Sequence, residues 1–235
     1  MLKQPYHIHY DDCDFTGHMR IDRLFAHLGD VAMQDSLNTG LYRNDMYGQY
    51  GWIVSKQTLH LYDELMHDDD IILTTEGRKP SSVIFPRYFT IQKDGKVVGE
   101  AYSQWTLVDL KTRRIVRVKS AGITIPDVTE TMTPPERLKS LGLPVTDHYH
   151  VVYSDLDMNG HMNNTQYLRV AYDLIGVDYL KTHHLTKLSI NYEKEVPAGA
   201  CLDIAMKQDQ DHFSFEGFVD HSCFLLEMSF EGQND

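Results

Sequence analysis

Residues 7–19 read His-Ile-His-Tyr-Asp-Asp-Cys-Asp-Phe-Thr-Gly-His-Met, and residues 150–162 read His-Val-Val-Tyr-Ser-Asp-Leu-Asp-Met-Asn-Gly-His-Met; seven of thirteen positions are identical at an offset of 143. A match of that density indicates two copies of one unit, so the fold must divide into two similar parts. Length agrees without deciding. The 235 residues make roughly one and a half domains at about 150 residues each, which allows one large domain or two small ones. The repeat resolves this into two units packed as one body.

The joint between the units is visible in composition. Four of the eight prolines, Pro126, Pro134, Pro135 and Pro144, fall within residues 124–148 among Thr, Asp, Glu and Gly, a mixture that favours turns and irregular chain. Residues 1–123 are expected to form the first unit, 124–148 a linker with one helical turn around Glu136 to Leu141, and 149–235 the second unit. In each unit the shared motif leads into a helical spacing, Leu24, Leu28, Val31 and Asp35 in the first and Leu168, Ala171 and Ile175 in the second, with Gly40 and Gly176 as stops. Strand-like runs follow: Trp52 to Leu61, Asp70 to Glu76, Phe85 to Gln92, Lys96 to Leu107 and Arg114 to Val118, then Leu185 to Tyr192, Ala200 to Gln208, His212 to Asp220 and Ser222 to Phe230. One long helix followed by antiparallel strands, twice over, is an α+β arrangement with the helices segregated from the strands. This is a tandem (double) hotdog, each unit a long helix wrapped by a curled antiparallel β-sheet. No Gly-rich phosphate loop of the dinucleotide or Walker type is present.

Charge separates the halves. Residues 1–126 carry 15 basic and 16 acidic side chains, whereas residues 127–235 carry 7 and 18. Within the first half, Lys111, Arg113, Arg114, Arg117 and Lys119 alternate with apolar residues and read as a strand with a basic face, either solvated or a docking patch for a phosphate or an acidic partner. A chain with a net charge of −12 repels a phosphate backbone nearly everywhere else, so no nucleic-acid partner is expected. No run approaches the roughly 18 apolar residues that cross a bilayer, and the N-terminal residues lack a signal peptide's apolar stretch; no membrane insertion and a cytoplasmic location are expected. Cys13, Cys201 and Cys223 are widely spaced, which fits reduced thiols rather than a disulfide framework or a zinc site. No metal and no cofactor are expected.

The chemistry lies in Ser154-Asp-Leu-Asp-Met-Asn-Gly-His-Met-Asn-Asn164, with Tyr167 after it. Asp157, Asn159 and His161 alternate, which in an extended segment puts all three side chains on one face. The segment leads into a helix, so the amides of Gly160 to Asn163 are expected to be free for a developing oxyanion. Asp, Asn and Gly before a helix are also ordinary capping residues, but a carboxylate, an amide and an imidazole together suit proton transfer.

This motif, with Tyr167 and the later Asn191-Tyr-Glu-Lys-Glu195, resembles the acyl-acyl carrier protein (acyl-ACP) thioesterases. Trp52-Ile-Val and Trp105 with Thr112-Arg113-Arg114 are similar to that family's N-terminal segments. The resemblance implies catalytic roles for Asp157, Asn159, His161 and Glu195, the last in the strand after the helix. It also implies hydrolysis of fatty acyl-ACP thioesters to free fatty acid and carrier thiol. Where plant members have a cysteine after that glutamate, this chain has Val196, which favours carboxylate- and His-activated water over a thiol nucleophile; an attack by Asp157 itself stays open. Cys201 and Cys223 are expected to be spectators. The acidic carrier protein, as substrate, calls for local positive charge, and Arg113, Arg114 and Arg117 are the expected contacts, with Arg78 and Lys79 behind them. The acyl pocket is expected near Met33, Leu37 and Trp52. His183-His184 reads as loop.

The first copy nearly reproduces the site: Asp14, Thr16 and His18 align with Asp157, Asn159 and His161, and at an offset of 131 Glu64 aligns with Glu195. These residues read either as a second site or as relics that cap the first helix and shape the acyl tunnel; the resembling family uses one site, in its C-terminal half, which favours relics. Other readings are an acyl-CoA thioesterase, another hotdog enzyme such as a hydratase or dehydratase, and a non-catalytic acyl-binding protein. Two fused units already form the hotdog pair, so a monomer suffices and a homodimer is allowed.

Overall fold

The computed structural model describes residues 1–124 and 127–232; Pro126 of the linker lies outside them. Eleven strands form one antiparallel sheet: β1 (Leu2–His7), β2 (Tyr50–Leu61), β3 (Asp70–Gly77), β4 (Phe85–Lys93), β5 (Lys96–Asp109), β6 (Arg114–Ile115), β7 (Asp147–His150), β8 (His183–Tyr192), β9 (Cys201–Asp209), β10 (His212–Phe218) and β11 (Ser222–Gly232). Their order, β1-β3-β4-β5-β2-β8-β11-β10-β9-β7 with β6 beside β5, is a palindrome in which each strand of the first copy except β6 has its counterpart at the mirrored place among the described residues. The centre is at the β2–β8 pair, where Thr58 faces Ser189, its own equivalent at the offset of 131. Their hydroxyls hydrogen-bond at 3.1 Å.

Two helices lie against this sheet, α1 (Ile21–Asn38) and α2 (Gln166–Ile175), the second followed by the single turn α3 (Val177–Leu180). The i, i+3, i+4, i+7 spacing buries Leu24, Leu28 and Val31 on α1 and Leu168 and Ala171 on α2. Both stripes enter one shared core with sheet residues such as Leu59, Leu188 and Phe215, so the two units cannot be separated without exposing it. Gly40 and Gly176, at φ 74° and 86°, follow α1 and α2 in the left-handed region that favours glycine.

Several sequence expectations are corrected here. The linker has no helical turn around Glu136 to Leu141: residues 127–146 are irregular, and β7 already begins at Asp147. Side chains of the sheet take the hydrogen bonds a helix would supply, Asn191 accepting from the Leu138 N–H at 3.0 Å and Glu216 from the Leu141 N–H. The second helix has ten residues against eighteen in the first. Arg114 to Val118 is a strand for two residues only and then turns into a short 3-10 helix, Val118–Ala121. His183 and His184 are the first residues of β8 rather than loop.

Candidate active site

Each copy of the motif folds as a hairpin, not as the extended segment expected. In the second copy the Asp157 N–H donates to His161 O at 2.8 Å and the Gly160 N–H to Asp157 O at 3.1 Å, with Gly160 at φ 77°. This is a three-residue loop, a turn closed by a residue in the left-handed region, which explains glycine there. Asp157 holds the loop: its Oδ1 accepts from the N–H groups of Asn159 (2.8 Å) and His161 (3.2 Å), and its Oδ2 from Asn159 Nδ2 at 3.2 Å. Just before it, the fully buried Asp155 accepts from Tyr149 Oη, Arg169 and the Val152 N–H and pins the hairpin to α2.

The amides expected to stabilise an oxyanion are engaged. Besides those of Gly160 and His161, the Met162 N–H donates to Val196 O at 2.9 Å and the Asn163 N–H to Asp155 O at 2.7 Å. The helix starts two residues after the motif's last residue, at Gln166.

Glu195 does meet His161. It lies three residues beyond the end of β8, not within the strand, and the bridge between His161 and Pro197 brings the two segments together. His161 Nε2 is 3.6 Å from Glu195 Oε2, while His161 Nδ1 is buried and has no hydrogen-bond partner among the described residues. The Arg113 guanidinium pairs with the same Glu195 oxygen. Arg113, expected on a docking strand, instead occupies a turn at φ 58° that Asp109 braces through the Thr112 N–H and hydroxyl. Sequence reasoning could not see this pairing, because it joins residues far apart in the chain.

Arg114 and Arg117 are exposed and have no ion pair among the described residues. Trp52 is half-buried, donates its indole N–H to Leu41 O at 3.1 Å, and packs edge-on to Phe85 with centroids 4.9 Å apart. It lines a cavity of about 320 Å³ with Met33, Leu41, Phe85 and Trp105, whose floor holds the buried Arg87–Asp35 pair at 2.7 Å. Leu37, expected to line the pocket, does not.

The first copy has the same backbone: the Asp14 N–H donates to His18 O at 2.8 Å, the Gly17 N–H to Asp14 O at 3.1 Å, and Gly17 sits at φ 87°. A second cavity, of about 420 Å³, opens on this copy. The Cys223 thiol is pushed up by burial, and the Cys13 thiol by burial and then by Asp12, so neither is poised as a thiolate nucleophile. His148, Cys201 and Asp203 have ligand atoms within 4.8 Å of one another at the β7–β9 edge. They could hold a metal ion there, but they are solvent-facing and His148 already bonds Asp203 at 2.7 Å.

Comparison with known proteins follows the same division. A model of the acyl-ACP thioesterase N-terminal domain matches residues 1–124, and one of the acyl-ACP thioesterase C-terminal domain matches residues 139–222. A chloroplastic oleoyl-acyl carrier protein thioesterase of Arabidopsis thaliana is 27% identical over 165 residues, which are 61% of this chain and 44% of that protein. The chain thus spans about half the length of the curated relatives it matches. Among solved structures, an acyl-ACP thioesterase from Bacteroides thetaiotaomicron superposes with a TM-score of 0.84 at 22% identity, covering 97% of each chain. A 12:0-ACP thioesterase from Umbellularia californica gives 0.82 at 13% identity over 99% of this chain and 97% of that one. These structures share the double hotdog fold. Among the described residues no helix is long and apolar enough to cross a membrane.

Proposed function

Because the chain belongs to the acyl-ACP thioesterase family, we propose that it hydrolyses fatty acyl-ACP thioesters at the C-terminal copy of the motif, releasing free fatty acid and the carrier thiol. The observation that carries this reading is the approach of His161 Nε2 to Glu195 Oε2, with Arg113 on the same carboxylate.

In this scheme Glu195 and His161 hold and deprotonate the attacking water. A thiolate of ordinary basicity leaves without strong acid help, since a thiol's pKa is near 8.5, so activation of water and stabilisation of the tetrahedral oxyanion are the main demands. Arg113, paired with Glu195, brings a positive charge to the carboxylate that holds the water. Asp157 is an orienter rather than a nucleophile: both its oxygens already accept hydrogen bonds within the hairpin, and moving one into attack would dismantle the loop that carries His161. Asn159 completes that brace.

The acyl chain is assigned to the cavity beside Trp52. Register supports this, since Lys56 pairs with Asn191 and the chain running on from β8 to Glu195 heads toward the Trp52 end of β2. Arg114 and Arg117 are the free cations for the acidic carrier. Residues 1–123 would then supply pocket and docking surface and residues 149–235 the chemistry, joined by 124–148. All three cysteines are free, which supports work in a reducing compartment such as the cytoplasm.

Release of free thiol from acyl-ACPs of graded chain length tests the assignment. The reading requires hydrolysis by the wild type and its loss in Glu195→Gln. Equal turnover by Glu195→Gln would remove the glutamate from the scheme, and cleavage of acyl-CoA in preference to every acyl-ACP would reassign the substrate.

A further inference from the structure

A cavity of about 420 Å³ opens at the first copy of the motif. Asp14, Thr16, His18 and Glu64 line its polar end together with His184, and Leu61, Leu65, Tyr172, Leu180 and Phe230 form an apolar wall. The position is the counterpart of the pocket beside Trp52. At the offset of 143 Tyr172 corresponds to Gly29, and at 131 His183 corresponds to Trp52; each member of both pairs lines its own cavity. The first motif therefore shares its cavity with α2, the helix of the opposite half, whereas no residue of the second motif lines the cavity beside Trp52.

The hydrogen bonds at this end fix the imidazole. Thr16 Oγ1 donates to Asp14 Oδ1 at 2.6 Å, which commits its single proton. Its 2.6 Å contact with His18 Nδ1 then requires the imidazole to donate Nδ1–H. His18 Nε2 is left as the basic nitrogen. It is buried, lacks a hydrogen-bond partner among the described residues, and lies 3.3 Å from Glu64 Oε1. His184 Nδ1, from the other half, is likewise buried and without a partner, and approaches the same oxygen to 3.3 Å. One carboxylate oxygen thus sits between two imidazoles whose facing nitrogens are unsatisfied, at the head of an apolar cavity.

The surroundings define what enters. Asp22, Asp63 and Asp173 also line the cavity, and its two arginines are occupied, Arg20 by Asp22 at 2.6 Å and Arg169 by Asp155 at 2.7 Å and Asp173 at 3.2 Å. No free guanidinium is available for a phosphate, and the carboxylates repel an acidic protein or a nucleotide-bearing thiol.

We propose that His18, Glu64 and His184 form a second thioester-cleaving site, which takes an uncharged acyl thioester of a small thiol with its acyl chain in the 420 Å³ cavity. Glu64 holds the water, and His18 Nε2 takes its proton as the water oxygen bonds to the carbonyl carbon. The Asp14–Thr16 chain stabilises the imidazolium so formed. On collapse the carbon–sulfur bond breaks, the proton passes to the departing sulfur, and a carboxylic acid and a thiol are released. This goes beyond the carrier-protein reading and does not rest on it.

The test uses the full chain with the C-terminal centre disabled by His161→Ala and Glu195→Gln, and decanoyl-pantetheine as the uncharged probe. Thiol release is expected to persist in that variant and to fall about 100-fold when His18→Ala or Glu64→Gln is added, the usual weight of a general base. Glu64→Gln, isosteric and partly exposed, keeps the test decisive if His18→Ala does not fold. Loss of pantetheine-thioester cleavage on disabling the C-terminal centre alone overturns the proposal, as does residual cleavage indifferent to both His18 and Glu64. Failure of the carrier-protein reading would be seen separately, as wild-type protein that leaves acyl-ACP intact.

Discussion

The two hairpins share a backbone to within the same pair of hydrogen bonds, and they differ in what holds the imidazole. In the first copy the side chain of Thr16 bridges Asp14 and His18, so the histidine is held at Nδ1. In the second copy the Asn159 amide reaches only Asp157, and His161 Nδ1 has no partner among the described residues. The partners of the two glutamates also differ: His184 beside Glu64, Arg113 beside Glu195. In both cases the extra group comes from the opposite half of the chain. The two halves thus share the hairpin scaffold, while groups from non-equivalent places, the turn at Arg113 and the start of β8 at His184, give one centre a fixed cation and the other a pair of imidazoles.

The largest expected effect separates the copies. His161→Ala should lower kcat for acyl-ACP by about a thousandfold or more, and His18→Ala far less; equal losses in steady-state thiol release would erase the distinction. Next comes the cation. Arg113→Ala should cost about tenfold to a hundredfold in kcat and Arg113→Lys less, since a point charge keeps the sign but not the fork; a purely KM effect would move Arg113 back to docking.

A third comparison is structural. Burial works against the Asp12 charge, but hydrogen bonds from Tyr6, the His9 N–H, Arg23 and His27 outweigh it and hold the carboxyl at about 2, below its ordinary 3.8. A carboxyl with a depressed folded-state pKa stabilises the fold fully above about pH 4, and that stability is lost as pH falls toward 2; the amount is about 2 kcal/mol. Asp12→Asn should flatten this acid limb in denaturant titrations, and an unchanged limb would show that Asp12 does not carry it. Smaller still, Arg114→Glu with Arg117→Glu should lower kcat/KM for acyl-ACP several-fold at low ionic strength, with the difference fading as salt rises. A salt-independent difference would argue against electrostatic docking.

Much of this was legible in the sequence. The spacing of Leu24, Leu28 and Val31 gave α1, and alternation gave eight of the longer strands within a few residues at each end. The missed strands, β1 and β7, are the short outer members of the sheet, Leu-Lys-Gln-Pro-Tyr-His and Asp-His-Tyr-His, with too few apolar residues to show a pattern. The basic run misled for the converse reason: its β-branched Ile115, Val116 and Val118 among basic residues read as a strand, but the turn at Arg113 and the 3-10 helix after Arg117 depend on local backbone conformation. Asp157, Asn159, His161 and Glu195 were legible as candidates from the motif; the structure bonds Asn159 to Asp157 and brings His161 to Glu195 instead of gathering all the side chains at one point. That the hairpin consumes its own amides, and that Arg113 and His184 reach across to the glutamates, depends on the packing of the two halves, which no local pattern encodes.

The central claim, that carrier-bound thioester is cleaved at the C-terminal copy, is tested most directly by single-turnover hydrolysis of acyl-ACP by wild type, Glu195→Gln and Glu64→Gln in parallel. The account predicts that Glu195→Gln abolishes the burst of free thiol and that Glu64→Gln retains most of it. Loss of the burst in Glu64→Gln with its retention in Glu195→Gln would contradict it.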